Sequence, residues 1–501
     1  MSLSQEAGVL AAIDIGSNSF RLEMGRVASG RYRRVDYLKE TVRLGAGLDD
    51  QSRLTEAAFE RGLATLAAFA ERLQGFDPMR IRAVATQTLR EARNRDEFLR
   101  AAQRVLGHPI EVISGREEAR LIYSGVSFLQ PSDESRLVAD IGGRSTELIL
   151  GQGRTPKAAE SFAVGSVSLS MRYFGDGRLS SQAFRAAQIA AGAEFEEAMT
   201  EFAPSLWTQA LGSSGTAGAV SQVLRESGIT DGDITVSALA GLIERCIDAG
   251  HLDRLEVPGL REDRRAVIPG GLAILYTLFT HFGIEHMRPA KGALRQGVII
   301  DLHERLLAQR SGARGQDARD ITVAALQARF GVDVAQARRV RDTALQLHDA
   351  AFPQADPQAR RELAWACDLH ELGLSVSHHD YHRHSAYLMS HLDAPGFSQS
   401  QQRRIGQLVL AQRGGLRKVE EALAEPLFAW QALCLRLAVI RCHAREAELA
   451  PAYRLTRYNG RGALLGWEAA HATPNPRTLH LLQEEVQAWQ RQGGLTLELA
   501  G

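Results

Sequence analysis

The chain has little cysteine and no surplus of charge. Four cysteines occur in 501 residues, Cys246, Cys367, Cys434 and Cys442. None forms a Cys-x-x-Cys pair and each lies in an apolar helical stretch, which excludes a zinc-ribbon site and a disulfide framework. They read as buried thiols in a reducing compartment. Lys plus Arg and Asp plus Glu both total 59, so no global field attracts a polyanion and any anionic partner must be held by a local basic patch. No uninterrupted apolar run approaches the roughly 20 residues that a membrane helix requires, and the N-terminus has neither a basic start nor an apolar signal core. These absences lead to the expectation of a cytoplasmic protein that engages neither membrane nor nucleic acid.

What the chain does have is a repeat. Leu10-Ala-Ala-Ile-Asp-Ile-Gly-Ser-Asn-Ser19 returns as Leu137-Val-Ala-Asp-Ile-Gly-Gly-Arg-Ser-Thr146. Both are apolar strands running into Asp-Ile-Gly, with Ser19 and Ser145 at the same distance past Asp14 and Asp140. Taken singly, such a segment is a tight turn. Two copies with aligned Asp, Gly and Ser, each followed by another strand, point to a pair of phosphate-gripping hairpins around one cleft. Glycine lets the turn expose backbone N–H groups to an anion, serine adds a hydroxyl, and aspartate can hold a divalent cation against phosphate oxygens. The candidates are Asp14, Ser17, Asn18 and Ser19 in the first loop, and Gly142, Gly143, Arg144 and Ser145 in the second. Ser214, Gly215 and Thr216, in a Gly/Ser turn entering a helix, offer a third anion site at a helix N-terminus.

The length suggests three or four domains at about 100–200 residues each. After the first hairpin come a basic strand over 30–39, a helix over 55–73 with Phe59, Leu63, Leu66 and Phe69 at helical spacing, a buried strand over 81–86 and a further helix. A strand over 110–113 then enters a helix with Ser114 as its N-cap and acidic residues in the first turn. This order describes an α/β layer, and the second hairpin opens a similar half. Segment 311–316 reads as a linker. Beyond it the chain is helical to about residue 450, and then carries a small strand-bearing cap. The expected divisions are 1–124, 125–310, 311–450 and 451–501.

Six segments carry a resemblance: Asp14-Ile-Gly-Ser-Asn-Ser-Phe20, Ala85-Thr-Gln-Thr-Leu-Arg90, Ile113-Ser-Gly-Arg-Glu-Glu-Ala-Arg-Leu-Ile122, Asp140-Ile-Gly-Gly-Arg-Ser-Thr-Glu147, Ser214-Gly-Thr216 and Gly292-Ala-Leu-Arg-Gln-Gly297. Through them the chain resembles, over essentially its whole length, the exopolyphosphatase and guanosine-pentaphosphate phosphohydrolase family. The resemblance implies an α/β fold of the actin-like ATPase type with two ribonuclease-H-like lobes, followed by an all-α HD-like domain and a C-terminal α+β cap. It implies release of terminal phosphate from inorganic polyphosphate or guanosine pentaphosphate with Mg²⁺, a monovalent cation as a further activator, and a homodimer. Glu118 falls on the catalytic carboxylate, Asp140 and Glu147 on metal- and phosphate-associated positions, and Arg90 on a phosphate-contacting arginine. Asp14 joins Asp140 and Glu147 as a metal candidate.

One position departs from the family, which usually has glycine at Arg144. The arginine either weakens the loop's grip or adds a guanidinium fork. Arg93, Arg264, Lys291 and Arg295 read either as a path for a polyanion or as ordinary ion pairs. In the HD-like part the metal set is broken. The central pair is His370-Glu371, Gln336 stands at the first histidine position and Arg441 at the final aspartate. His378, His379, His382 and His384 suit either a metal or, more simply, a polar interdomain or dimer surface.

Hydrolysis of a phosphoanhydride needs a water held in line, a group to take its proton, and positive charge on the equatorial oxygens. Glu118 suits the proton acceptor; Glu117, on another helix face, is given no role. The segment His382-Arg-His-Ser-Ala-Tyr387 resembles the exopolyphosphatase branch of the family more than the other, and that resemblance favours a processive exopolyphosphatase. The alternatives are a guanosine-pentaphosphate 5′-phosphohydrolase, a non-catalytic sensor of alarmone or polyphosphate, and an actin-fold kinase.

Overall fold

A computed structural model describes residues 8–311, 317–354, 356–445, 452–467, 475–492 and 494–500. The chain divides into two compact units, Met1–Gly312 and Ala313–Gly501. The expected linker at 311–316 lies almost wholly outside the described residues.

The first unit holds two five-stranded sheets of the same design. β1 (Val9–Ile15), β2 (Phe20–Ala28) and β3 (Arg31–Glu40) form an antiparallel meander. Helix α1 (Glu56–Arg72) leads to β4 (Ile81–Ala85), then α2 (Gln87–Glu91), α3 (Arg95–Leu106), β5 (Ile110–Val112) and α4 (Gly115–Leu129). The strand order is β3-β2-β1-β4-β5, with β4 parallel to both β1 and β5. The second sheet repeats it. β6 (Ser135–Ile141), β7 (Thr146–Gln152) and β8 (Thr155–Phe162) form the meander, β9 (Gln209–Ser213) and β10 (Met287–Pro289) are the parallel additions, and the order is β10-β9-β6-β7-β8. Even the irregularities match: the β2–β3 register shifts at Met24/Gly25 and the β7–β8 register at Leu150/Gly151. This is the duplicated ribonuclease-H-like architecture of the actin-like ATPases.

The central strands are continuous apolar runs because both of their faces are covered. Val9, Ala11, Ile13 and Ile15 of β1 pack into the first lobe's own core, whereas Leu10 and Ala12 join Val84, Val138, Ile149 and Leu211 in a core shared by the two sheets. The second lobe adds α5 (Ser166–Phe174), α6 (Ser181–Phe195), α7 (Ser214–Glu226), α8 (Val236–Ala249), α9 (Glu262–Arg265), α10 (Ile268–His281) and α11 (Leu294–Ser311). α11 ends the span 125–310, yet it packs against α4, β1 and β2 of the first lobe. Glycine permits this crossing: a Cβ at Gly297 would collide with the Leu121 carbonyl, and one at Gly125 would sit 2.6 Å from the Ala293 carbonyl oxygen.

The second unit is helical from Ala318 to Arg441. A three-stranded sheet (Tyr453–Tyr458, Gly462–Trp467, Thr496–Leu499) and the helix Pro476–Gln492 share its core. Arg436, on the helix Pro426–Arg441, pairs with Glu485 of the cap helix at 2.5 and 2.7 Å, both side chains buried. At the HD-like positions Glu371 is tied to Arg445, Gln336 Nε2 donates to the Cys442 carbonyl at 2.8 Å, and Arg441 donates to Thr343 Oγ1 at 3.2 Å. His370 is buried, which pushes its imidazole below the usual range, and one ring nitrogen lies 2.7 Å from the Cys367 carbonyl. His378 and His379 are exposed, His382 is buried and His384 is half-buried, and among the described residues these histidines form no group that could hold a metal. All four cysteines are free and buried.

Candidate active site

The repeated hairpins place their aspartates at equivalent points with unlike partners. Across β1–β2 the register sets Asp14 opposite Arg21, and the two are paired at 3.1 Å. Across β6–β7 it sets Asp140 opposite Glu147. Both hairpins, with the start of α7, open onto a cleft lined by Asp14, Ser17, Asn18, Ser19, Glu118, Asp140, Gly142, Gly143, Ser145, Ser214, Gly215, Thr216, Arg264 and Arg295. Two polar atoms in this wall are buried without a hydrogen-bond partner, Ser19 Oγ and Asp140 Oδ2.

α7 begins at Ser214, whose φ of 67° is left-handed. That conformation costs a non-glycine residue on the order of 1–3 kcal/mol, and among the seven such residues described Ser214 is the one that lines the cleft. A Cβ at Gly215 would collide with the Arg264 guanidinium, so glycine here lets Arg264 reach the helix N-terminus. Thr216 Oγ1 donates to the Ile141 carbonyl at 3.0 Å, fastening α7 to the second hairpin.

Glu118 enters from α4, whose N-cap is Ser114, its hydroxyl accepting from the Glu117 N–H at 3.2 Å. Glu117 points away into a buried ion network. It is bound by Arg120 at 2.7 and 2.9 Å, while Asp301 of α11 receives Arg82 at 2.7 Å and Arg120 at 2.6 Å. Glu118 instead faces the cleft and accepts from Arg90 Nη1 at 2.9 Å. Burial raises its pKa to about 7; Arg90 opposes the shift, and Asp140 and Asp14 add to it. Burial also raises Asp140, against hydrogen bonds from Ser214 and Ser213. Glu147 is driven well upward by burial and then by the charges of Glu118 and Asp140. Burial and mutual repulsion thus hold back joint ionisation of these three carboxyls unless a cation is beside them.

Some expected site residues lie outside this wall. Glu147 is buried behind it and accepts from Ser161 Oγ at 2.8 Å. Arg144 does not extend a fork into the cleft, because its guanidinium is committed to Glu91 at 2.7 and 3.0 Å and to the Gly45 carbonyl at 3.2 Å. Arg93 and Lys291 are exposed and absent from the cleft lining, as exposed cations at element ends readily are. Arg264 and Arg295 do line it, the latter held by Glu23 at 3.1 Å. The sequence reading passed over Arg21, Thr86 and Ser166, which line the cleft as well. Arg21 had a signal: it occupies the position in the first hairpin that Glu147 occupies in the second.

Residues 25–306 match the family model described as the Ppx/GppA phosphatase family, and residues 318–486 match its domain III. The chain belongs to the Ppx/GppA phosphatase family. Three solved structures are similar. An exopolyphosphatase-like protein is 25% identical, with a TM-score of 0.54 over 60% of this chain and 99% of its own. The Cytophaga hutchinsonii exopolyphosphatase is 21% identical, at 0.53 over 61% and 98%. The Aquifex aeolicus PPX-GPPA enzyme is 23% identical, at 0.50 over 58% and 99%. About three-fifths of this chain therefore matches each of them nearly end to end.

For a member of this phosphatase family the remaining question about the wall is a cation. Among the described residues no three His, Cys, Asp or Glu side chains are grouped so as to hold a metal, so Asp14, Asp140 and Glu147 are not a preformed cage. Mg²⁺ does not need one, since it keeps several waters and usually takes one or two carboxylates plus phosphate oxygens. The unpartnered Asp140 Oδ2, a hard oxygen at the wall, fits that requirement. Among the described residues no helix is long and apolar enough to cross a membrane.

Proposed function

We propose that the protein is an exopolyphosphatase that removes terminal orthophosphate from inorganic polyphosphate, with Glu118 as general base. The observation that carries this reading is the Glu118 carboxyl, raised to about 7 and facing a cleft whose walls are hydroxyls, glycine turns and guanidinium groups. A base is most effective when its pKa lies near the working pH. Arg90 occupies Oε2 of Glu118, leaving Oε1 to accept the proton of a water as it attacks the terminal phosphorus.

The two hairpin turns and the N-terminus of α7 supply N–H and hydroxyl donors for the phosphoryl oxygens. Arg21, Arg264 and Arg295 offset the charge of the following phosphates. Mg²⁺ would be held by Asp140, with Asp14 beside it, and when bound neutralises charge on the phosphate oxygens. Glu147 acts from behind, its carboxyl held in the protonated form by burial and by the charges of Glu118 and Asp140, so that Glu118 is the carboxyl that ionises. The homodimer, the monovalent cation and the cytoplasmic location remain part of this proposal.

Phosphate release from long-chain polyphosphate, guanosine pentaphosphate and ATP, compared as kcat/KM, tests the reading. Polyphosphate should be preferred. A higher value for guanosine pentaphosphate would assign the cleft to the alarmone, and one for ATP would remove the protein from both branches.

A further inference from the structure

The short helix α2 presents Gln87, Arg90 and Glu91 at i, i+3 and i+4, on one face. Arg90 is held on two sides. Its Nε and Nη2 both donate to Gln87 Oε1, at 2.9 and 2.6 Å, while Nη1 donates to the Ile113 carbonyl at 3.0 Å and to Glu118 Oε2 at 2.9 Å. Because the Gln87 oxygen faces the guanidinium, its amide nitrogen faces the other way and donates to Glu91 Oε1 at 2.6 Å. Glu91 Oε2 is then free to accept from Arg144 Nε at 3.0 Å and Nη2 at 2.7 Å.

An unbroken series of charge-assisted hydrogen bonds thus runs from the second phosphate loop, across the lobes, to the carboxylate read as the base. Each link uses different atoms, so every donor in the series has its acceptor. An adjacent side of α2 touches the first phosphate loop, where Thr88 Oγ1 donates to Ser17 Oγ at 2.8 Å. Gly45 makes room for the crossing arginine, since a Cβ there would lie 2.8 Å from Arg144 Cδ and 3.0 Å from Thr88 Oγ1.

We propose that Gln87 and Glu91 are positioning residues that orient Arg90 against Glu118, and that Arg144 ties this orientation to the second phosphate loop. The proposal rests on the reading of Glu118 as base. The Arg144–Glu91 pair is only partly buried, with side chains 23% and 29% exposed, and such a pair adds little to stability by itself. Its effect lies in geometry. Without Glu91 the Gln87 amide can turn over and present N–H to a guanidinium, which pushes Arg90 away from its site. A displacement of this size at the reacting groups is felt in the chemical step and not in the grip on substrate.

The test measures phosphate release from inorganic polyphosphate by the full-length protein. Glu91→Ala and Gln87→Ala should each lower kcat about tenfold with KM within a factor of about two. Glu91→Gln, which keeps an acceptor for the Gln87 amide, should retain most of the rate. Gln87→Ala or Arg144→Gly added to Glu91→Ala should cost nothing further, because one series has already been cut. A raised KM at unchanged kcat, or losses that multiply, would overturn the proposal. Wild-type turnover and its loss in Glu118→Gln examine the base reading separately. Independently of turnover, a crystal structure of Gln87→Ala should show Arg90 Nη1 beyond hydrogen-bond distance of Glu118. Arg90 still in place there would refute the positioning role even if Glu118 proved to be the base.

Discussion

In the first hairpin Asp14 faces Arg21 across the β1–β2 register and is paired with it at 3.1 Å, with Arg295 at 3.8 Å from the same oxygen. In the second, Asp140 faces Glu147 across the β6–β7 register, and one Asp140 oxygen is buried without a partner. The backbone is the same in both, down to the position of the bulge. A single side chain opposite the aspartate makes one half electrostatically closed and leaves the other short of positive charge. The same backbone in both halves builds a two-walled cleft, and in the proposed function the one differing register position directs the cation to the second wall. Glu118, raised to about 7, is placed where the fields of both aspartates reach it.

The largest break in this arrangement is to remove the group that both walls serve. Glu118→Gln keeps the shape but cannot take a proton, and should lower kcat by about 10²–10⁴-fold with KM little changed. Steady-state phosphate release measures this, and a near-wild-type rate would dismiss Glu118 as the base. Next comes the asymmetry itself. Asp140→Asn should cost about 10²-fold at limiting Mg²⁺ and recover in part at excess metal. Asp14→Asn, which leaves Arg21 without its partner at an already neutralised wall, should cost less and should not recover. Equal losses with equal rescue, read from Mg²⁺ titrations of the two variants, would erase the distinction between the hairpins.

How far the sequence exposed this site depended on whether a residue acts within its own motif. The strands, the hairpin turns, the Ser114 cap and the turn into α7 were legible because alternation, Asp-Ile-Gly and a serine before acidic residues act over a few positions. The family resemblance singled out Arg90 and Glu118, 28 positions apart in sequence. The destination of a long side chain is another matter. Arg144 belongs to the second loop in sequence, but Glu91 and Gly45, distant in the chain, draw it out of the cleft. Arg21 sits in the cleft, marked only by its place opposite Asp14 in the repeat, and α11 packs on α4 through glycine contacts whose partners the Gly292–Gly297 segment does not reveal. What escaped the sequence was fixed by pairings between distant elements.

Smaller effects sharpen the comparison further. Glu147→Gln exchanges a carboxyl that burial already holds protonated for a neutral amide of the same shape, and should change neither the maximal rate nor its Mg²⁺ dependence by more than a few-fold. A fall in the maximal rate with an unchanged Mg²⁺ requirement would make Glu147 a more direct participant. Arg144→Gly, which restores the usual family residue, should change kcat only a few-fold, since the arginine acts through Glu91 and does not line the cleft. A loss of about 10²-fold would mean that it contacts the transition state.

The most direct test of the account is the pH dependence of kcat/KM for inorganic polyphosphate, measured on the wild type and on Arg90→Gln. Glu118 works as a base only when ionised, so activity should rise with pH through about 7 in the wild type. Arg90 favours the ionised form, so its removal should carry the acid limb to higher pH, a movement that the substrate's own titration cannot produce. A wild-type limb in the ordinary carboxylate range, or a limb that stays in place in Arg90→Gln, would contradict the assignment of Glu118.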